Sequence, residues 1–156
     1  MYVESDNAEV YRKYADDLVR FATGLVGPDD AADVVSEAVV RCFTSPNWRG
    51  VKERRAYLYR SVYNQAAEYH RRIRRRRLRE ERSAPNEVIE SQDLRPEVLA
   101  AVLQLSVRQR AVVVLTYWDD LTPDSIADLL GISGGSVRRH LARAKSHLKE
   151  VLRADD

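Results

Sequence analysis

The sequence predicts an all-α protein made of two small helical domains joined by a flexible linker, and three observations carry that prediction. Apolar residues recur at three- and four-residue spacing along most of the chain, with no convincing alternating stretch bounded by hairpin turns. The segment SAPNEVIESQD, from Ser83 to Asp93, interrupts this periodicity with the Ser, Pro, Asn and acidic content of a linker. Beyond it, two sets of helix signals meet at a single turn glycine, Gly131. The expected organisation is a first domain over 1–82, a linker over 83–94 and a second domain over 95–156.

In the first domain, Asp6 or Asn7 can cap a helix whose Val10, Tyr14, Leu18, Phe21 and Leu25 form one stripe, and Gly27 and Pro28 end it. A second helix, about Asp29 to Phe43, turns Val34, Val35, Ala38, Val39, Cys42 and Phe43 inward. Asp33, Glu37 and Arg41 are left on an outer face at four-residue spacing, where Glu37 can pair with Arg41. Pro46, Asn47 and Gly50 then break regular structure, and Trp48 among them is either a plug on the adjoining helices or an exposed ring.

A third helix starts near Glu53 with Leu58, Val62, Ala66 and Tyr69 as its buried stripe and with Tyr59 and Tyr63 on another face. It continues into RRIRRRRLREER, Arg71 to Arg82, eight arginines in twelve positions. Such a run is a solvated helix end or a phosphate-tracking surface. The tyrosines just upstream favour the second, because bases stack on aromatics beside a basic track.

In the second domain Pro96 opens a helix with Val98, Leu99, Val102 and Leu105, and another, about Val107 to Trp118, adds Ala111, Val112, Leu115 and Trp118 to the same core. Thr122 caps a helix beginning at Pro123, Asp124 complements its dipole, and Gly131 closes it. Ser133 caps the next helix. A turn this short makes the two helices cross steeply over Ile126, Leu130, Ile132, Val137 and Leu141, which is a helix-turn-helix. Val137, Leu141, Ala144, Leu148 and Leu152 give the last helix its core stripe, while Ser136, Arg138, Arg139, His140, Arg143 and Lys145 project elsewhere. Arginines near such a helix start can meet guanine edges and phosphates in the major groove.

Composition narrows the class. No apolar run approaches the ~20 residues of a membrane span, and no signal peptide is evident, so a cytoplasmic protein is expected. Cys42 is the only cysteine and is read as a small core residue; His70, His140 and His147 are too dispersed for a zinc pattern, and no metal or cofactor is expected. No phosphate loop or nucleophile-base set points to an enzyme. The net charge of +2 divides into −4 over 1–50, +8 over 51–82 and −2 over 83–156, which implies partners of different character.

Three stretches in order resemble one family. DAADVVSEAVVRCF, WRGVKERRAYLYRSVYNQAAEYHRR with its RG pair, LYR triplet and Asn64, and LSVRQRAVVVLTYWDDLTPDSIADLLGISGGSVRRHLARAKSHL are similar to the segments of an extracytoplasmic-function (group IV) sigma factor of the sigma-70 family. The resemblance implies a non-enzymatic specificity subunit that carries RNA polymerase to a two-element promoter and helps open it. Its partners would be the clamp helices and flap of core polymerase, duplex minus-35 DNA, single-stranded minus-10 DNA and an anti-sigma factor.

Carried over position by position, Asp33, Ser36, Glu37 and Arg41 would dock on the polymerase. Asn47, Trp48 and Arg49 fall in the loop that captures a flipped minus-10 base, with Arg60, Tyr63 and Asn64 beside it and Arg71, Arg72, Arg74 and Arg75 along the phosphates. Ser133, Ser136, Arg138, Arg139, His140, Arg143 and Lys145 would read minus-35, and Glu87, Glu90 and Asp93 of the linker would lie in the RNA channel. Ser36, Ser106 and the Gly134-Gly135 pair depart from the usual family residues at their positions, and His140 stands where arginine is often found. The competing function is a helix-turn-helix repressor or activator that does not bind core polymerase. A third possibility is a sigma-like protein that binds polymerase without supporting initiation.

Overall fold

A computed structural model describes residues 2–80 and 95–154, and among these the regular elements are all helical. The linker segment 83–94, with Glu87, Glu90 and Asp93, lies outside the described residues. The first unit is α1 (Tyr2–Val26), α2 (Ala31–Thr44), a 3-10 turn (Trp48–Gly50) and α3 (Arg54–Glu80). The second is α4 (Pro96–Leu103), α5 (Val107–Tyr117), α6 (Pro123–Leu130) and α7 (Gly134–Ala154).

In the first unit Leu18, Phe21 and Leu25 of α1 meet Val34, Val35, Ala38 and Cys42 of α2 and Leu58, Val62 and Ala66 of α3, all essentially buried. Helix α1 begins several residues before the expected caps. Asp6 and Asn7 are instead tertiary partners: Asn7 Oδ1 accepts from Trp48 Nε1 at 2.9 Å, and Asp6 pairs with Arg54 at 2.8 Å. Trp48 is 2% exposed, wedged between Phe43 and Tyr57 at centroid distances of 5.2 and 5.7 Å and covered by the Arg54 guanidinium. It is a plug that pins the irregular loop to α1 and α3, which removes it from direct DNA contact. Cys42 is buried and free, and that burial pushes its thiol pKa up.

The second unit is set by its caps. Ser106 forms a reciprocal capping box with Gln109 at the start of α5. Thr122 Oγ1 accepts from the Ser125 amide, Gly131 takes the left-handed conformation at φ 71°, and Ser133 Oγ accepts from the Ser136 amide. Ile126, Val137 and Ala144 are fully buried at the corner. Leu129 is buried as well, whereas Ile132 and Leu152 are 39% and 38% exposed. Their place in the expected stripe is corrected: Ile132 sits in the turn, and Leu152 lies in the last turns of α7, past the core.

The two units share one core. Val107, Arg110 and the whole run Ala111 to Leu115 are buried, because α5 packs on α7 with one face and on α1 with the other. At the crossing of α1 and α5 the backbones approach so closely that a Cβ on Gly24 would overlap Cγ2 of Val114. Tyr59, expected outside the α3 core stripe, is 1% exposed and stacks on Phe21 at 5.1 Å; its burial pushes the phenol pKa to about 12.

Two arginines tie the units reciprocally. Arg60 of α3 donates from Nε and Nη2 to Leu129 O (3.1 Å) and Asp128 O (2.7 Å) at the C-terminal end of α6. Arg110 of α5 donates to Leu25 O (2.6 Å) at the end of α1 and to Leu103 O at the end of α4. Each charge meets carbonyls that the helix leaves unpaired, at the negative end of its dipole. Burial lowers the Arg110 pKa to about 10, so the group stays charged at neutral pH. Arg20 adds a third link to Asp119, 3.3 Å, whose carboxylate is 8% exposed.

Gly24→Ala tests the crossing. In an open helix the change stabilises by about 1 kcal/mol; here overpacking is expected to reverse the sign and cost about 1–2 kcal/mol in urea denaturation. Val114→Ala in the same chain should recover part of it, and a stabilised Gly24→Ala would show that α1 and α5 do not meet.

Candidate nucleic-acid interface

Helix α2 supplies the first candidate surface. Its inner face is core, so Asp33, Ser36, Glu37 and Arg41 are all exposed on the opposite side, with Val40, 60% exposed, among them. Glu37 accepts a short hydrogen bond from Gln65 Nε2, a side chain only 2% exposed on α3, instead of pairing with Arg41 as spacing alone implied. That bond fixes the carboxylate on the surface. The result is a flat, charged helix face around one apolar side chain, suited to another helix rather than to a small molecule.

The second surface is the loop after α2 together with α3. Asn47, Arg49 and Asn64 are exposed and Tyr63 is half-buried, so these remain available for contact. Trp48 does not, and Arg60 contacts α6. The idea of a tyrosine stacking track fails on geometry: Tyr59 is interior, Tyr57 packs on Trp48, and the Tyr69 hydroxyl donates to Asp30, with burial and that bond raising its pKa. What remains is charge. Arg71, Arg72, Arg74 and Arg75 are exposed, Arg71 pairs with Glu68 at 3.0 Å, and Arg72, Arg75, Arg76 and Arg79 line one shallow concavity along the helix.

The third surface is the outer face of α7. With Val137 and Ala144 at the core, Arg138, Arg139, Arg143 and Lys145 are exposed on the far side. Ser133 is held as the helix cap and Ser136 is half-buried. Arg138 pairs with Asp124 of α6 at 3.3 Å in an open setting where water and salt screen the pair. His140 is half-buried; burial first, then the charges of Arg108, Arg139 and Arg143, lower its pKa. Its imidazole is therefore neutral at pH 7, and it does not act as the cation an arginine would be at this position. Arg108, on α5, extends the basic surface and was not among the sequence candidates.

The reading of the sequence also passed over Arg110, Arg20 and Asp119, which join the two units. Their signal was present in AVVVL, a helical run apolar on all sides, and in Gly24 inside a helix where nothing requires a turn. Among the described residues no helix is long and apolar enough to cross a membrane.

Comparison with known proteins finds two family models along the chain. Residues 10–77 match the family model described as sigma-70 region 2, and residues 95–148 match sigma-70, region 4. Among curated relatives, the RNA polymerase sigma-E factor of Streptomyces antibioticus is 32% identical over 155 residues, covering 95% of this chain and 85% of that one. The sigma-E factor of Streptomyces coelicolor is 34% identical, covering 95% and 86%. The ECF RNA polymerase sigma factor SigL of Mycobacterium tuberculosis is 32% identical, covering 92% and 86%. Two solved structures share the fold: the sigma factor RpoE bound to the anti-sigma factor NepR from Bartonella quintana has a TM-score of 0.71 at 20% identity, covering 97% of this chain and 99% of that one. CnrH, in complex with the cytosolic domain of CnrY, has a TM-score of 0.68 at 22% identity, covering 98% and 91%.

A neutral His140 makes a specific prediction. Because its folded pKa lies below the ordinary 6.5, the stability that its neutral form contributes is present above pH 6.5 and is lost as the pH falls below it. His140→Gln should leave duplex affinity at pH 7.5 within about twofold by fluorescence anisotropy. A loss of tenfold, the size of one lost charged contact of ~1.4 kcal/mol, would make the imidazole a direct contact.

Proposed function

The chain belongs to the sigma-70 family, as an RNA polymerase sigma factor of the extracytoplasmic-function type, and from that premise we propose how its surfaces divide the work of carrying core polymerase to promoters and opening them. The exposed face of α2, Asp33, Ser36, Glu37 and Arg41, docks on the clamp helices of the largest polymerase subunit. The second unit sits near the flap of the second largest. The observation that carries this reading is the α2 face itself: two carboxylates at four-residue spacing, one of them pinned by a buried glutamine, on a helix whose other side is core.

The loop around Asn47 and Arg49 with Tyr63 and Asn64 holds the minus-10 strand, a flipped base gaining in the loop the stacking it gives up. Arg71, Arg72, Arg74 and Arg75 neutralise phosphates and fix register without reading bases. Trp48 contributes by holding the loop in shape. On α7, Arg139 and Arg143 reach base edges of the minus-35 duplex while Arg138 and Lys145 meet phosphates. Ser133 and Ser136 order the start of the helix. The protein acts in the cytoplasm as a binding subunit without catalysis of its own, and an anti-sigma factor is one of its partners, as NepR is for RpoE of Bartonella quintana. A helix-turn-helix regulator that never meets polymerase needs only the second unit, and nothing about the α2 face favours it.

Asp33→Lys with Glu37→Lys should abolish co-purification with core polymerase while leaving helicity unchanged; retention of the complex would move the docking face elsewhere. Arg139→Ala or Arg143→Ala should cost about 1–3 kcal/mol of minus-35 duplex binding within the holoenzyme, measured by competition between promoter fragments. Unchanged promoter selection in both would remove these arginines from the reading surface.

A further inference from the structure

Two helix faces in the first unit carry the same pattern with opposite charge. On α2 the exposed line is Asp33, Glu37 and Val40, the last 60% exposed. On α3 it is Arg71, Arg75 and Leu78, the last 78% exposed. Counted back from the apolar residue, the charged ones stand at three and seven positions in both helices, which puts each set on one side of its helix. Arg41 and Arg79, one position past the apolar residues, stand beside the lines rather than on them. A single exposed leucine is ordinary. One that repeats the register of an oppositely charged face is a clue to what covers it.

The α3 line lies on an overhang. Helices α2 and α3 run antiparallel, since the Tyr69 hydroxyl donates to Asp30 at the start of α2 and the Tyr57 hydroxyl to Ser45 just past its end. From Arg71 to Glu80 the helix therefore projects beyond α2, about 14 Å at 1.5 Å per residue. Arg71 and Arg75 are like charges at i,i+4, an arrangement that weakens a helix standing alone. Glu68 answers Arg71 at 3.0 Å, with both side chains well exposed, so the pair is easily exchanged for another.

We propose that the α3 overhang of one copy docks on the α2 face of a second copy, so that the free chain self-associates and covers its own acidic face. Laid parallel, the two helices bring Arg71 to Asp33, Arg75 to Glu37 and Leu78 to Val40. The apolar pair leaves water, and the charge pairs fix the register. A chain cannot make this contact with itself, because its overhang points past the start of α2 while the acidic line faces away from the core. Each copy offers one face of either sign, so the contact is heterologous: two copies close on each other as a dimer, or they continue as a chain. Charge pairs this exposed are weak and screened by salt, which suits a reversible store of free protein. The contact itself does not depend on the sigma-factor reading. Its consequence, competition with polymerase for Asp33 and Glu37, rests on that reading.

Sedimentation velocity of the full chain tests the contact. In ~50 mM salt the sedimentation coefficient should rise with concentration up to ~200 μM, and association should weaken at least about tenfold in ~500 mM salt. Asp33→Lys with Glu37→Lys, and separately Arg71→Glu with Arg75→Glu, should each sediment as a monomer with unchanged helicity. Mixed in equal amounts the two variants should associate again, because the intact arginines of one meet the intact carboxylates of the other and the altered faces are complementary too. Leu78→Ser leaves every charge in place and should weaken association about fivefold. It lies outside the core, so it decides the matter if either double variant loses helicity. A chain that stays monomeric at ~200 μM in low salt, or variants that do not associate when mixed, would overturn the proposal. Association abolished by nuclease would assign the overhang to nucleic acid and overturn it as well. A chain that self-associates but fails to bind core polymerase would instead sink the sigma-factor reading and leave the contact standing.

Discussion

A charged side chain from each helical unit seated on the carbonyl end of a helix in the other is the constraint on which this structure turns. Arg110 is the more demanding of the two, because a guanidinium 7% exposed is tolerable only when its N–H groups find acceptors. It finds them in Leu25 and Leu103. Those carbonyls are themselves without helical partners, so one contact satisfies both sides of a burial that neither tolerates alone. Around it the run Ala111 to Leu115 of α5 is apolar on every face, since the helix serves as the core of the second unit and as the lid of the first. Gly24 supplies the remaining condition, a backbone smooth enough for that lid to close.

Much of this was legible in the sequence, and what was not depends on partners distant along the chain. Helix count, the corner at Gly131 and the caps at Thr122 and Ser133 follow from local chemistry, where the residue and its consequence lie within a few positions of each other. The burial of Trp48 was one of two readings that turn-forming neighbours left open, and only Asn7, distant in sequence, decides between them. Asp6 and Asn7 show the limit of capping rules, because a side chain able to cap a helix is equally able to reach across to another. Tyr59 was misplaced for a different reason. Periodicity finds one face of α3, and it is silent on the second face, where Phe21 of α1 covers Tyr59. Arg110, Arg20 and Asp119, passed over in the sequence, lie at the junction between the units, as does the α6 contact of Arg60.

The division of charge acquires a physical meaning once the helices are in place. Acidic side chains on α2 and basic ones on α3 and α7 occupy different outward faces, so a protein partner and a nucleic acid can be met at once without competing for one surface. The core behind them is what holds these faces apart, as with Gln65, which is buried itself yet sets the position of the Glu37 carboxylate outside. The junction between the units works the other way, drawing a DNA-facing arginine inward. Specificity in such a molecule depends on where each surface points as much as on what it contains.

The distance between the units, followed on one molecule, tests this most directly. With fluorescent probes at Lys52 in the first unit and Lys149 on α7, both exposed, energy transfer is to be measured in the free chain. The account requires efficient transfer in the free chain, where α6 packs on α3 and α5 on α1. Transfer that is weak in the free chain would contradict it.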